Sequence, residues 1–346
     1  AELRPAHTLR CHVKVRRVFA FALLAVISLP VVSRAGTLGT DIIGLFPKEV
    51  GEFTYADLKK ARQFKWFPQL KEQMLPSRFR LFEQFLASAG IDPNTQVEEV
   101  AWASIPTATS KGGSQNNVSV PTGEQIVGVA LGQFAPTSAE AYFRKQKLPT
   151  STFRGFTLYA FGSGIGPSDL FFLFLDSNTA AFGHRESIEK LIEVRFGSEE
   201  GLLRNDRFYR LISEANGRGV VWAVLNPAYT RLAMQQLVPE ASQFPQAANL
   251  LAKLQALVIT VDAGSTLDAR FQAACSTTED ANTLAALLQA GLLYRRYQES
   301  QANPELAKLL DDARITPRGE RVELRLTLTN EQMSDLIRRN TFAIRM

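Results

Sequence analysis

The residues able to do chemistry are few, and their spacing matches no catalytic or metal-binding pattern. The run Gly162-Ser163-Gly164-Ile165-Gly166 has the composition of a phosphate loop. Such a loop needs a strand before it and a helix N-terminus after it, so that backbone N–H groups meet the anion. Here residues 156–161 (FTLYAF) alternate as a strand with one wet face, and residues 169–176 (DLFFLFLD) form a short apolar run bounded by polar residues. Both sides read as strand, so Gly162, Gly164 and Gly166 are expected to build a hairpin connection. His184 is the one histidine beyond residue 35, so any His-based zinc site or Ser-His-Asp triad would have to use it. It precedes a helical segment, where a polar residue is ordinary. Cys275 is the one cysteine beyond residue 35, lies between a strand and a helix start, and reads as a small buried apolar residue. With Cys11 lying before it, the segment after residue 35 can form no internal disulfide. The pairs Glu98-Glu99 and Asp311-Asp312 are adjacent in sequence, and neighbours on a helix or strand point apart, so neither makes an acid–base pair. No G-x-S-x-G elbow is present. The sequence therefore calls for no catalytic residue, no cofactor and no metal.

Two aromatic groups are the remaining candidates for binding. Phe64, Trp66 and Phe67, with Lys65 between them, fit a peptide- or glycan-facing patch, but large aromatics around Pro68 are more often core filling. Tyr294, Arg295, Arg296 and Tyr297 stand near the end of the longest helical segment, where a solvated basic end is the ordinary reading. Asn117-Val118-Ser119 matches a glycosylation sequon, a three-residue pattern that carries little weight alone.

The elements that must position these residues alternate between short strands and capped helices. After residues 179–183 (TAAFG), Ile188, Leu191, Ile192 and Phe196 recur at helical spacing, and Gly197 stands where a left-handed cap ends the helix. Asp57, Asn205, Asn226 and Asn330 are expected N-caps, and Thr137-Ser138-Ala139-Glu140 and Ser276-Thr277-Thr278-Glu279 are expected capping boxes. Residues 41–50 with Phe53-Thr54-Tyr55 read as an early strand, and residues 97–105 and 125–134 as a strand pair. The polar, glycine-rich residues 107–123 between that pair read as a long hairpin loop. Four times a strand runs directly into a helix. The expected fold is α+β, with antiparallel sheets built from β-β-α units and helices packed on one face. Two sub-domains, at about 36–225 and 226–346, are compatible with this.

Charge gives an address. Residues 1–35 hold six Lys/Arg and one acid, which leaves 33 basic and 33 acidic residues in the rest. The overall charge of +5 therefore belongs to the N-terminal segment, and no basic footprint for nucleic acid remains. Lys14, Arg16 and Arg17 precede the apolar residues 18–32, and Ser33-Arg34-Ala35 puts small residues before Gly36. This is the layout of a secretory signal peptide cut between Ala35 and Gly36. Its apolar run is some 15 residues, below the roughly 20 that span a bilayer comfortably. Left uncut, this segment would be the protein's contact with the membrane. Val13 reads as an alternative start, with residues 1–12 then untranslated.

Residues 44–50 (GLFPKEV), 89–102 (AGIDPNTQVEEVAW), 177–197 and 279–298 give the chain a familiar style. It resembles exported bacterial proteins of the uncharacterised, domain-of-unknown-function kind. The resemblance implies export and an α+β fold and transfers no site residues. The expectation is an exported protein of the periplasm or cell surface with a binding, scaffold or envelope role, its partner a protein or envelope ligand. A periplasmic hydrolase built on Ser, Asp and Glu residues, or a membrane-anchored accessory subunit, are the alternatives.

Overall fold

The computed structural model describes residues 36–74, 77–111, 119–237, 245–302 and 304–339. The first half of the chain runs α1 (Thr40–Ile43), β1 (Glu52–Asp57), α2 (Leu58–Ala61), α3 (Phe67–Met74), α4 (Ser77–Ser88), α5 (Pro93–Gln96), β2 (Val97–Lys111) and β3 (Ser119–Gly132). It continues through α6 (Pro136–Lys145), β4 (Thr150–Phe153), β5 (Phe156–Phe161), β6 (Leu170–Phe174), β7 (Thr179–Gly183) and α7 (Arg185–Arg195). The second half runs α8 (Asp206–Ala215), β8 (Val221–Leu225), α9 (Pro227–Leu237), α10 (Pro245–Ala252), β9 (Ala256–Ala263) and β10 (Thr266–Ala274). It ends with α11 (Thr278–Ala302), α12 (Pro304–Asp312), β11 (Arg314–Arg318), β12 (Arg321–Thr329) and α13 (Asn330–Arg338).

The fold is α+β, and its strands form one antiparallel sheet in the order β11-β12-β10-β9-β8-β1-β2-β3-β7-β6-β5-β4. The order reads the same way outward from the β1–β8 seam. On one side come β2, β3, β7 and β6, and on the other β9, β10, β12 and β11, with β5 and β4 extending the first side alone. This symmetry underlies the recurring strand-to-helix units of the sequence. Where several antiparallel sheets were expected, there is one, because β1 and β8 pair directly, Tyr55 opposite Trp222.

Helices cover both faces, not one. Strand side chains alternate between faces, so in β1 Phe53 and Tyr55 enter one core while Ala56 enters another. The first core packs Phe53, Trp222 and Val224 against Ile188, Leu191 and Ile192 of α7 and Ile212 of α8. The second packs Ala56, Val221 and Ala223 against Leu70 of α3, Tyr229 of α9, Leu284 of α11 and Met333 of α13. A smaller aromatic cluster of Phe82, Phe143, Tyr159 and Phe172 lies over the β5–β6 end. Nearly continuous burial along β8 is the local sign that both faces are covered.

The local punctuation is largely as expected. Asp57, Asn205 and Asn226 accept hydrogen bonds from the N–H groups of Lys60, Phe208 and Tyr229. Gly197 has φ +74°, and Ser198 and Gly197 donate to the carbonyls of Glu193 and Val194, which closes α7 as a Schellman cap. Five expectations shift. Residues 41–50 are no strand: a short helix and turns precede β1. Neither expected capping box forms as read, since α6 starts from Ala135 with proline at its first turn. Thr277, not Ser276, caps α11. Thr329, not Asn330, caps α13, in a box with Gln332. Finally, β2 and β3 run on to Lys111 and Ser119 through most of the expected loop. Backbone pairing, not side-chain pattern, carries those polar residues.

Candidate functional site

A cavity of about 200 Å³ lies between the second face of the sheet and the helices α3, α4 and α5. Its floor comes from alternate residues of four strands: Val100 and Trp102 of β2, Ile126 and Ala130 of β3, Phe172 and Phe174 of β6, and Ala180 and Phe182 of β7. Ala130 and Ala180 are cross-strand partners, and two small side chains facing each other leave the floor hollow. Phe67, Phe79, Phe82, Leu86 and Ile91 form the roof. Native interiors leave few voids larger than a water molecule. This one opens to solvent at its polar rim, and an enclosed apolar cavity of comparable size takes up benzene.

Four polar side chains complete the lining, all half-buried or exposed: Arg62, Lys71, Glu83 and Asn94. Three of them form a clasp. The Lys71 Nζ of α3 lies 2.6 Å from Glu83 Oε1 of α4 and donates at 2.6 Å to Asn94 Oδ1 of α5, so one ammonium ties the roof helices together. Arg62 follows α2, and its Nη2 donates to the carbonyls of Pro93, at 3.1 Å, and Val97. Burial pulls its pKa down from the usual guanidinium range, with Asp92, Glu98 and Asp57 opposing.

Apart from Phe67, which forms part of the roof, the residues singled out in the sequence lie elsewhere. The glycine loop joins β5 to β6, and Asp169 fills it: its Oδ2 accepts from Gly164 N–H at 2.7 Å, Gly166 N–H at 3.0 Å and the Ser163 hydroxyl at 2.8 Å. The N–H groups that would hold a phosphate already hold a carboxylate. His184 sits between β7 and α7, where its Nδ1 accepts the Ile126 N–H at 2.8 Å and its own N–H donates to Ile126 O. Gly183, with φ +149°, allows this approach, since a Cβ there would overlap Ile126 O. His184→Ala is expected to cost about 1–2 kcal/mol by stranding the Ile126 N–H, a loss read by urea unfolding; unchanged stability would show that the bond contributes nothing.

Cys275 is 5% exposed, and burial pushes its thiol up to about 11, far from a reactive thiolate. Glu98 pairs with Lys59 while Glu99 accepts from the Tyr55 hydroxyl, so the adjacent carboxylates diverge. Asp311 pairs with Arg296 of α11. Phe64, Trp66 and Phe67 are buried in the second core, with Phe64 and Trp66 stacked at 5.4 Å. Tyr294 and Tyr297 stand exposed on α11. Ala35 and Asn117 lie outside the described residues, and Gly36 is the first described residue. Among the described residues no three His, Cys, Asp or Glu side chains group to hold a metal, and no helix is long and apolar enough to cross a membrane.

Sequence reasoning missed the cavity and one buried acid. Glu52 of β1 is 1% exposed and accepts from Thr54 Oγ1 at 2.9 Å and Ser104 Oγ at 3.4 Å. Burial, then the nearby Glu124 charge, push its carboxyl up to about 8. The signal was a lone acid beside the apolar Phe53 and Tyr55 in a short strand. The cavity had no local signal, because its walls come from four strands and three helices spread along the chain.

Neither a family model nor a curated protein matches the sequence. The chain is similar to crystal form I of TP0453 at 12% identity and TM-score 0.48, over 89% of this chain and all of that one. It is similar to crystal form III of TP0453 at 10% identity and TM-score 0.47, over 86% of this chain and 98% of that one.

Proposed function

We propose that this is an exported binding protein of the bacterial envelope that holds an apolar ligand between its sheet and the roof helices α3–α5. The carrying observation is the cavity of about 200 Å³ with an almost wholly apolar lining. Export is supported by the basic, apolar and small-residue layout of residues 14–35. A binding role, not a catalytic one, is supported by the lining: its polar groups bond to each other or to backbone carbonyls, and none is a nucleophile next to a base.

The test is a calorimetric titration with ethylbenzene, an uncharged apolar probe of eight carbons, the size that scaling from benzene in 150 Å³ allows. Saturable binding is expected for the wild-type chain. The double variant Ala130→Leu/Ala180→Leu adds six carbons, about what a 150 Å³ cavity accepts as benzene. It is expected to weaken probe binding at least tenfold without lowering the thermal midpoint. Equal binding by the variant, or none by the wild type, would refute the cavity as a ligand site.

A further inference from the structure

Aromatic rings dominate the wall of the cavity. Eight of the 23 described residues that line it carry one, in a chain that is 10% aromatic overall. Exclusion of water alone needs no such bias, since Leu, Ile and Val do it as well. The rings are also held in place by other rings. Phe172 of the floor meets Phe82 of the roof at 5.5 Å, with their planes 57° apart. Tyr159 and Phe143, which do not line the cavity, fix Phe172 further, the first stacked at 5.6 Å and the second edge-on at 5.0 Å. Phe134 and Phe174 tilt against each other at 5.9 Å and 50°. Phe182 pairs across the ladder with Gly128, and its ring lies over that glycine, where a Cβ would overlap its Cζ. Phe134, Phe174 and Phe182 are nonetheless half-buried, so each keeps ring surface that a guest can cover. Walls oriented before a ligand arrives lower the ordering cost of binding it.

Resting on the cavity as a ligand site, we infer that it selects an uncharged ligand with a single aromatic ring over a saturated ligand of the same size. An aromatic ring has a negative face and a positive edge, so a guest ring gains offset-stacked or edge-to-face contacts with the walls beyond the area it buries. A saturated ring has no such face and gains from the area alone. Scaling from benzene in a 150 Å³ cavity, 200 Å³ accommodates about eight carbons. That is one six-membered ring with a short substituent, and too little for two fused rings.

The experiment compares benzyl alcohol with cyclohexylmethanol on the full chain. The two have the same carbon count and the same hydroxyl, and differ in whether the ring is aromatic. Both are titrated by calorimetry and as competitors of ethylbenzene. The saturated ring exposes more apolar surface to water, so burial alone would favour cyclohexylmethanol. The expected result is the reverse, with benzyl alcohol bound at least about fivefold tighter by the wild type and displacing ethylbenzene. In Phe134→Leu/Phe174→Leu, which keeps the wall apolar and removes two rings, the preference is expected to fall below about twofold. Should that variant not fold, Phe182→Leu is the second, with the preference expected to shrink in the same direction. A preference unchanged in the variant that folds overturns the assignment to the rings. Equal or tighter binding of cyclohexylmethanol by the wild type, or binding of benzyl alcohol that leaves ethylbenzene in place, overturns the inference while the apolar cavity stands. Failure of ethylbenzene itself to bind removes the cavity reading and this inference together.

Discussion

Glu52→Gln is expected to flatten the dependence of stability on pH between about 5 and 8. Glu52 has its carboxyl in the centre of the sheet, 1% exposed, with the hydroxyls of Thr54 and Ser104 as its hydrogen-bond partners. Burial disfavours the charged form first, and the Glu124 charge adds to it, so the folded-state pKa rises from 4.5 to about 8. Between those values the unfolded chain has released the proton that the folded chain keeps. The folded state then binds more protons, so stability falls as pH rises, by up to about 1.4 kcal/mol per unit. This contribution is complete below about pH 4.5 and is lost as pH passes through about 8. Summed over the window, the loss is on the order of 4 kcal/mol, a large share of the 5–15 kcal/mol that holds a typical domain together. Glutamine keeps the shape and an oxygen for Thr54 but has no proton to lose. Urea unfolding at pH 5, 6, 7 and 8 should show two curves that nearly meet at pH 5 and separate steadily, the variant becoming the more stable. Parallel curves would mean that Glu52 ionises in the folded protein as it does in the unfolded one.

The neighbourhood of Glu52 shows which kind of information a sequence hides. Its own strand was legible as a strand at Phe53-Thr54-Tyr55, as were β5, β6 and β7. Each has a pattern or a turn that acts over a few residues, and the caps at Asp57, Asn205 and Asn226 are equally local. What was not legible depends on which strand lies beside which. Glu52 is buried because β2 and β8 flank β1 and α9 brings Tyr229 over the same core. The polar residues beyond Pro106 continue a strand because their backbones pair across the hairpin, Lys111 opposite Ser119. The helices occupy both faces because each strand of the central seam is buried on both. That signal was present in residues 221–225 (VWAVL), whose unbroken run differs from the one-sided alternation of residues 321–329. The cavity is the extreme case. Ala130 and Ala180 are unremarkable alone, and become a hollow only when β3 and β7 set them opposite each other beneath α4.

The seam between the two halves of the chain is the place where one substitution should do most damage. Trp222 is fully buried at the centre of β8 and stacks on both Phe53, at 5.6 Å, and Tyr55, at 5.4 Å, of β1. Phe46 closes the cluster edge-on to Phe53 at 4.8 Å. Trp222→Ala removes the indole from a core that α1, α7 and α8 hold from the far side, so the hole cannot close, and the expected cost is about 3–5 kcal/mol. Trp222→Phe keeps a ring against Phe53 and Tyr55 and removes an indole Nε1–H that has no partner among the described residues, so it should cost clearly less. The form of the unfolding curve matters as much as its midpoint. Because the Trp222 ring joins β8 to β1, losing it should lower a single transition, seen together by near-UV circular dichroism and by calorimetry. Two transitions, with one left at the wild-type midpoint, would show that residues 36–225 and 226–346 fold as separate units and that the continuous sheet does not make them one.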